Sequence, residues 1–283
     1  MKRLSKLFAK IAASVLLLIG GISLAQNQAQ ASSNLGEQNV MSVAWYQTSA
    51  EAKALYLQGY NLARRNLDQS LQQQSAKPRA IILDIDETVL DNSPYQAYNA
   101  LHNKTFPSCW NKWVKYAKAK PVPGAKSFLN YANSKGVQIY YVSDRSSDQL
   151  AATKKNLKRE GLPQADNQHV LLKKKSDKTK EERRKAIEAK SNVIMFFGDN
   201  LTDFNDPKST SMKDRYNDVM QNANQWGSKY IILPCPMYGS WEASLYGGTY
   251  DKSASAKSKA RKKHLAVYNP KKNKVQHKTV TEK

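Results

Sequence analysis

Five short apolar runs punctuate this chain, and each ends in polar residues or proline. They are Arg79-Ala-Ile-Ile-Leu83, Val137-Gln-Ile-Tyr-Tyr-Val142, His169-Val-Leu-Leu172, Asn192-Val-Ile-Met-Phe-Phe197 and Lys229-Tyr-Ile-Ile-Leu233. The first of them is continuous rather than alternating, which predicts a strand covered on both faces, and the other four are of the same kind. Helical stretches lie between them over Ala125–Ser134, Ser147–Glu160, Lys180–Lys190 and Asp214–Trp226. Gly136 and Gly161 follow two of these, where glycine ends a helix. A further helical period begins at Ser49, with Ala54, Leu55, Tyr60, Leu62, Ala63, Leu67 and Leu71 at three- and four-residue spacing. Residues 32–48 read as a polar leader to it. Strands alternating with helices predict an α/β fold with a doubly wound parallel sheet. Residues 91–122 break the alternation: they hold no strand-like run but carry Tyr95, Tyr98, Phe106, Trp110, Trp113 and Tyr116. An insertion there sits over the end of the first strand and is expected to form a small helical cap.

Composition adds a direction of travel. Lys2, Arg3, Lys6 and Lys10 precede an uncharged apolar stretch from Ile11 to Leu24, and Ala29-Gln30-Ala31 follows it. Residues 1–31 therefore read as a secretory signal peptide, and the protein is expected outside the cell or at its wall. No cysteine follows the apolar stretch, so a lipid anchor is not expected. Setting aside the four positive charges of that segment lowers the formal net charge from +22 to +18. Residues 252–283 hold eleven Lys or Arg and one acid, Glu282. The segment 251–283 is expected to be a basic tail without ordered structure, either solubilising or attaching electrostatically to wall or membrane polyanions; nucleic acid is a secondary candidate. Residues 32–250 then form the main domain. Cys109 and Cys235 are the two cysteines; spacing alone does not decide whether they pair.

The chemistry lies at the strand ends. In open parallel sheets, ligands bind beyond the carboxyl ends of the strands. Here those ends carry Asp84 and Asp86, Ser143 and Arg145, a lysine cluster over Lys173–Lys180, then Asp199 and Asp203. Beyond a strand, side chains two apart reach one site. Two carboxylates so close repel each other, and a hard cation removes the conflict. Mg²⁺ takes oxygen ligands, keeps waters and uses one or two carboxylates plus substrate phosphate. A carboxylate nucleophile can form an aspartyl-phosphate, a second acid can move the proton, and a hydroxyl and an ammonium can hold the remaining phosphate oxygens.

ILDIDETVLDNSPY, YVSDR, the lysine-rich segment before RRKAIE, and FFGDNLTDF resemble the four motifs of the haloacid dehalogenase superfamily. More narrowly, DIDETVLDNS with GDNLTDF resembles the paired-aspartate signature of class C bacterial acid phosphatases, the lipoprotein e-type 5′-nucleotidase family. The similarity spans about residues 40 to 247. It implies a Rossmann-like core with a small cap, Mg²⁺, and hydrolysis of phosphomonoesters, often nucleoside monophosphates. Carried over by position, it implies that Asp84 is the nucleophile and Asp86 the general acid/base. It implies metal ligation by Asp84, the Asp86 carbonyl and Asp199, with Asp203 supporting. Ser143 corresponds to the phosphate-binding hydroxyl, and Lys180 or Lys178 to the phosphate-binding lysine. Arg145, Trp110 and Tyr238 are candidate substrate contacts, the two aromatics as platforms for a flat leaving group. The family's lipidated cysteine is missing, and Asp144 stands where a small or amide residue is expected. Two other functions are carried alongside: a phosphotransferase with the same intermediate, and a non-catalytic polyanion-binding protein.

Overall fold

The computed structural model describes residues 34–277. The signal peptide expected over residues 1–31 lies outside the described residues. The five apolar runs become strands β1 (Arg79–Leu83), β2 (Gln138–Ser146), β3 (Val170–Lys173), β4 (Asn192–Gly198) and β5 (Tyr230–Ile232). They form one sheet in the order β3-β2-β1-β4-β5, and every neighbouring pair is parallel. The chain steps outward from β1 in one direction, then returns to its other side. A crevice therefore opens at the carboxyl ends of β1 and β4, the switch point of the topology.

Both faces of β1 are covered, as its continuous apolar run predicts. Ile81 and Leu83 join one core with Tyr60, Leu67, Phe128 and Phe197. Ala80 and Ile82 join another with Ile187 and Phe204. Full burial of each such Ile or Leu contributes about 1.5–3 kcal/mol, so the strand that Asp84 follows is firmly seated at the centre of the sheet.

The helices are α1 (Leu35–Thr48), α2 (Ala50–Leu71), α3 (Ser93–Leu101), α4 (Trp110–Tyr116), α5 (Ala125–Ser134), α6 (Leu150–Arg159), α7 (Glu181–Glu188), α8 (Met212–Gln221), α9 (Ser240–Leu245) and α10 (Ala254–Lys263). Ser49 caps α2 by accepting from Ala52 N at 3.0 Å. Residues 32–48 differ from expectation: most of the polar leader is the helix α1, with Val43 and Tyr46 buried. Its apolar residues, Leu35, Val40, Met41, Val43, Ala44, Trp45 and Tyr46, are spread around the helix and show no clear one-sided period, and tertiary packing holds it in place. The insertion over 91–122 contains α3 and α4. Its stem is a two-residue antiparallel ladder, Leu90 opposite Pro121 and Asp91 opposite Lys120, and Asp91 Oδ1 accepts from Ser93 N at 2.7 Å to turn the chain into α3.

The chain divides into two compact units, one of them Gly36–Tyr250. The other includes the basic segment from Asp251. The expectation that this segment lacks ordered structure is corrected. It contains α10, capped by Ser253, and a hairpin of β6 (Ala266–Asn269) with β7 (Lys274–His277). Alanine and lysine are strong helix formers, and Asn273 takes the positive φ that the hairpin turn needs. Among the described residues, no helix is long and apolar enough to cross a membrane.

Candidate active site

Asp84 directly follows β1, and its N–H donates to Phe197 O of β4 at 3.0 Å. That bond ties the two strand ends together where the crevice opens. Asp199 directly follows β4. Asp203 sits in a short 3-10 turn, Leu201–Asp203, where its Oδ2 accepts from Asn200 N at 3.0 Å. Gly198 makes this packing possible: a Cβ there would lie 2.3 Å from Asp203 Cβ. Carboxylate oxygens of Asp84, Asp199 and Asp203 lie within 4.8 Å of one another.

Lys180, at the start of α7, reaches into this acid cluster. Its Nζ donates to Asp84 Oδ1 and, at 2.7 Å, to Asp203 Oδ1. Lys178 is exposed, so Lys180 is the lysine at the site. Burial pushes the Asp84 carboxyl up to about 8; Lys180 pulls it down, and Asp203 and Asp86 add to the rise. Burial, with Asp203 and Asp84, pushes Asp199 well above the usual carboxylate range. Burial lowers Lys180, but Asp203 and Asp84 outweigh it and hold the ammonium above its usual value.

Three buried or half-buried carboxylates facing one ammonium leave negative charge to be neutralised. Oxygen donors at this spacing suit a hard divalent cation, so the residues present fit a metal. The Asp86 side chain is not part of the cluster. Of the four expected metal residues, three bring their carboxylates together, and for Asp86 the resemblance implies the backbone carbonyl.

The Asp86 carboxylate turns to Arg145, which donates from Nε at 3.0 Å and from Nη2 at 2.7 Å to Oδ1. Asn92 Nδ2 donates to the same oxygen at 2.7 Å, and Ser143 Oγ lies 3.3 Å from Oδ2. Ser143 is thus at the site. Arg145 is not where the sequence reading puts it. It is 3% exposed and donates to Asp86 and, from Nη1 at 3.1 Å, to Thr153 Oγ1. A guanidinium so deep must place its donors on protein acceptors, so it holds the acid rather than facing substrate. Asp144 is half exposed and pairs with Arg183 at 3.2 Å, and its charge still reaches Lys180 and Asp203.

Both candidate stacking aromatics are partly exposed. The Trp110 ring packs edge-on against Tyr95 at 5.0 Å and lies over Arg145 at 5.5 Å. Tyr238 donates its phenol to Glu87 Oε2. Glu87, which the sequence reads as local structure rather than chemistry, is a structural acid at the base of the insertion. It is fully buried at positive φ, and its Oε1 accepts from Asn92 N at 2.7 Å. Burial first, then Asp86 and Asp199, pushes its carboxyl well above the usual range. Thr88 and Asn92 are the residues the sequence reading missed; Thr88 Oγ1 donates to Asp199 Oδ1 at 3.3 Å. The available signal was their place inside DIDETVLDNS. Cys109 and Cys235 are both free thiols.

Residues 14–241 match the family model of the HAD superfamily, subfamily IIIB (acid phosphatase). The chain belongs to this family. Two structures of the class C acid phosphatase from Bacillus anthracis, one with tungstate bound, are 46% identical to it. The match covers 83% of this chain and 100% of theirs, with TM-scores of 0.82 and 0.81. The Glycine max stem 31 kDa glycoprotein is 33% identical over 82 residues, which is 29% of this chain. The Glycine max stem 28 kDa glycoprotein is 28% identical over 131 residues, or 43% of this chain. The matches span 32% and 51% of those two proteins' own lengths. Family and fold place the chain among the phosphomonoester hydrolases.

Proposed function

We propose that this chain is a Mg²⁺-dependent acid phosphatase acting outside the cell, with nucleoside monophosphates among its substrates. The observation that carries the reading is the joint placement of Asp84, Asp199 and Asp203 around Lys180, with Asp86 held apart from them. Asp84 Oδ attacks phosphorus, the bond to the ester oxygen breaks, and Asp86 gives that oxygen a proton. Water then attacks the phosphorus of the aspartyl-phosphate and yields its proton to Asp86. Inorganic phosphate leaves and Asp84 is regenerated. Lys180 and Ser143 hold phosphate oxygens by charge and hydrogen bonds. Asp84, Asp199 and Asp203 would hold or support the Mg²⁺, which offsets charge repulsion between nucleophile and phosphate. The partly exposed rings of Trp110 and Tyr238 support acceptance of a flat leaving group.

Export rests on the leader pattern of residues 1–31. Attachment to wall or membrane polyanions rests on the basic segment 251–283, which carries α10 and the β6–β7 hairpin. The deciding experiment is phosphate release from a nucleotide panel, with EDTA or with Mg²⁺, from acidic to neutral pH. Release that requires Mg²⁺ and disappears in Asp84→Asn supports the reading. Metal-independent release, or activity surviving Asp84→Asn, rejects it.

A further inference from the structure

Asn92 links the insertion to the acid that moves the proton. Its side chain is fully buried. Oδ1 accepts from Trp113 Nε1 of α4 at 2.7 Å and lies 3.5 Å from Arg145 Nη2. Nδ2 donates to Asp86 Oδ1 at 2.7 Å. An indole nitrogen and a guanidinium are donors only. The amide atom facing them must therefore be the oxygen, and the atom facing Asp86 must be the N–H₂. The two oxygens of Asp86 are consequently unlike. Oδ1 takes three donors, from Asn92 Nδ2, Arg145 Nε and Arg145 Nη2. Oδ2 has only the longer contacts, Arg145 Nε at 3.2 Å and Ser143 Oγ at 3.3 Å. Two undivided N–H donors at 2.7 Å, with a share of the single Nε–H, occupy the lone pairs of Oδ1, so the proton belongs on Oδ2.

We infer that Asn92 and Trp113 are positioning residues for Asp86. The indole of the insertion locks the Asn92 amide as a donor to Oδ1, and the proton transferred in the reaction travels on Oδ2. The inference rests on the reading of Asp86 as general acid/base. In the first step Oδ2–H protonates the ester oxygen as its bond to phosphorus breaks, and in the second Oδ2 takes the proton from water. Loss of the indole N–H removes the short hydrogen bond that anchors the amide oxygen, so the Nδ2 donor to Oδ1 is held less firmly, the carboxylate can rotate, and Oδ2 is misdirected.

The test compares kcat/KM for glycerol 3-phosphate and 4-nitrophenyl phosphate in the full chain with Mg²⁺. An alkoxide needs a proton to leave; a nitrophenolate barely does. Trp113→Phe removes the N–H and keeps a ring, so the alkyl-to-aryl ratio is expected to fall about tenfold, a fraction of what a general acid supplies. Asn92→Asp keeps the acceptor toward Trp113 and removes the donor toward Asp86, so the ratio falls in the same direction. If Trp113→Phe does not fold, Asn92→Asp decides alone. An equal loss on both substrates, or no loss, overturns the inference. Asp86→Ala separates it from its premise. If that variant lowers the ratio and the other two do not, only the positioning role falls. If it leaves the ratio unchanged, the acid/base reading falls and takes this inference with it.

Discussion

Lys180 Nζ stands 2.7 Å from Asp203 Oδ1, with the two side chains 5% and 4% exposed. The same ammonium meets Asp84, so one cation serves two buried acids. Removing one member of a buried ion pair leaves charge without compensation and costs about 3–5 kcal/mol. Lys180→Met is expected to lose about that much in urea denaturation of the metal-free protein at neutral pH. Its turnover is expected to fall by about 100-fold or more, the loss that follows from the proposed charged contact of Lys180 with the transferring phosphate.

Asp84→Asn gives the opposite pairing of effects. Removing the proposed nucleophile is expected to lower turnover by about 10⁴-fold or more, read as phosphate release under saturating substrate. Removing one of three clustered carboxylates relieves repulsion, so the metal-free melting temperature stays the same or rises. A drop of several degrees together with lost activity counts against the assigned role.

The pH dependence of the metal-free protein follows from the cluster. An unfolded Asp titrates near ~4, whereas Asp84 in the fold is pushed up to about 8. Between those values the folded state holds a proton that the unfolded state has released, so stability falls as pH rises through that window. Asp199 and Asp203 are shifted in the same direction. Thermal melts with EDTA should therefore be highest at the acid end. Added Mg²⁺ should raise the melting temperature most near pH 8, where the carboxylates are otherwise in conflict. A metal-free melting temperature that climbs from pH 5 to 8 contradicts this.

Gly198→Ala probes the closeness of β4 to Asp203. The new Cβ would lie 2.3 Å from both Cβ and Oδ2 of Asp203, so the acid must move. Overpacking of this kind costs about 1–3 kcal/mol. Turnover and Mg²⁺ affinity are expected to fall together; a titration of activity against Mg²⁺ gives both.

Trp110→Ala and Tyr238→Ala are expected to lower activity on nucleoside monophosphates more than on a small aliphatic phosphate. Base–aromatic stacking is worth about 1–3 kcal/mol per base, so the ratio of kcat/KM values should shift at least about fivefold. An unchanged ratio in both variants excludes stacking at these rings.

The α/β class, the five strands and the order of polar residues at their ends were legible in the sequence. Apolar strands and capped helices leave strong local signals: apolar runs for β1 to β5, Ser49 before α2, glycines after helices; that the edge strand β5 leaves Ile232 half exposed was not among them. The helix α1 was not legible because its apolar residues lie all round it rather than on one face, and the α10–hairpin segment was not because its apolar residues are too sparse to give a period. For the site, type and spacing alone named Asp84, Asp86, Ser143, Asp199 and Asp203. The choice of Lys180 over Lys178 depended on which lysine the start of α7 turns inward. The role of Arg145 depended on burial, which the pattern Ser-x-Arg does not encode. Asn92, Glu87 and Trp113 become meaningful only where the insertion folds back over β1, since hydrogen bonds between residues distant in sequence have no local signature. Local sequence thus set the kinds of groups at the strand ends, and three-dimensional packing decided which oxygen, nitrogen or ring each of them faces.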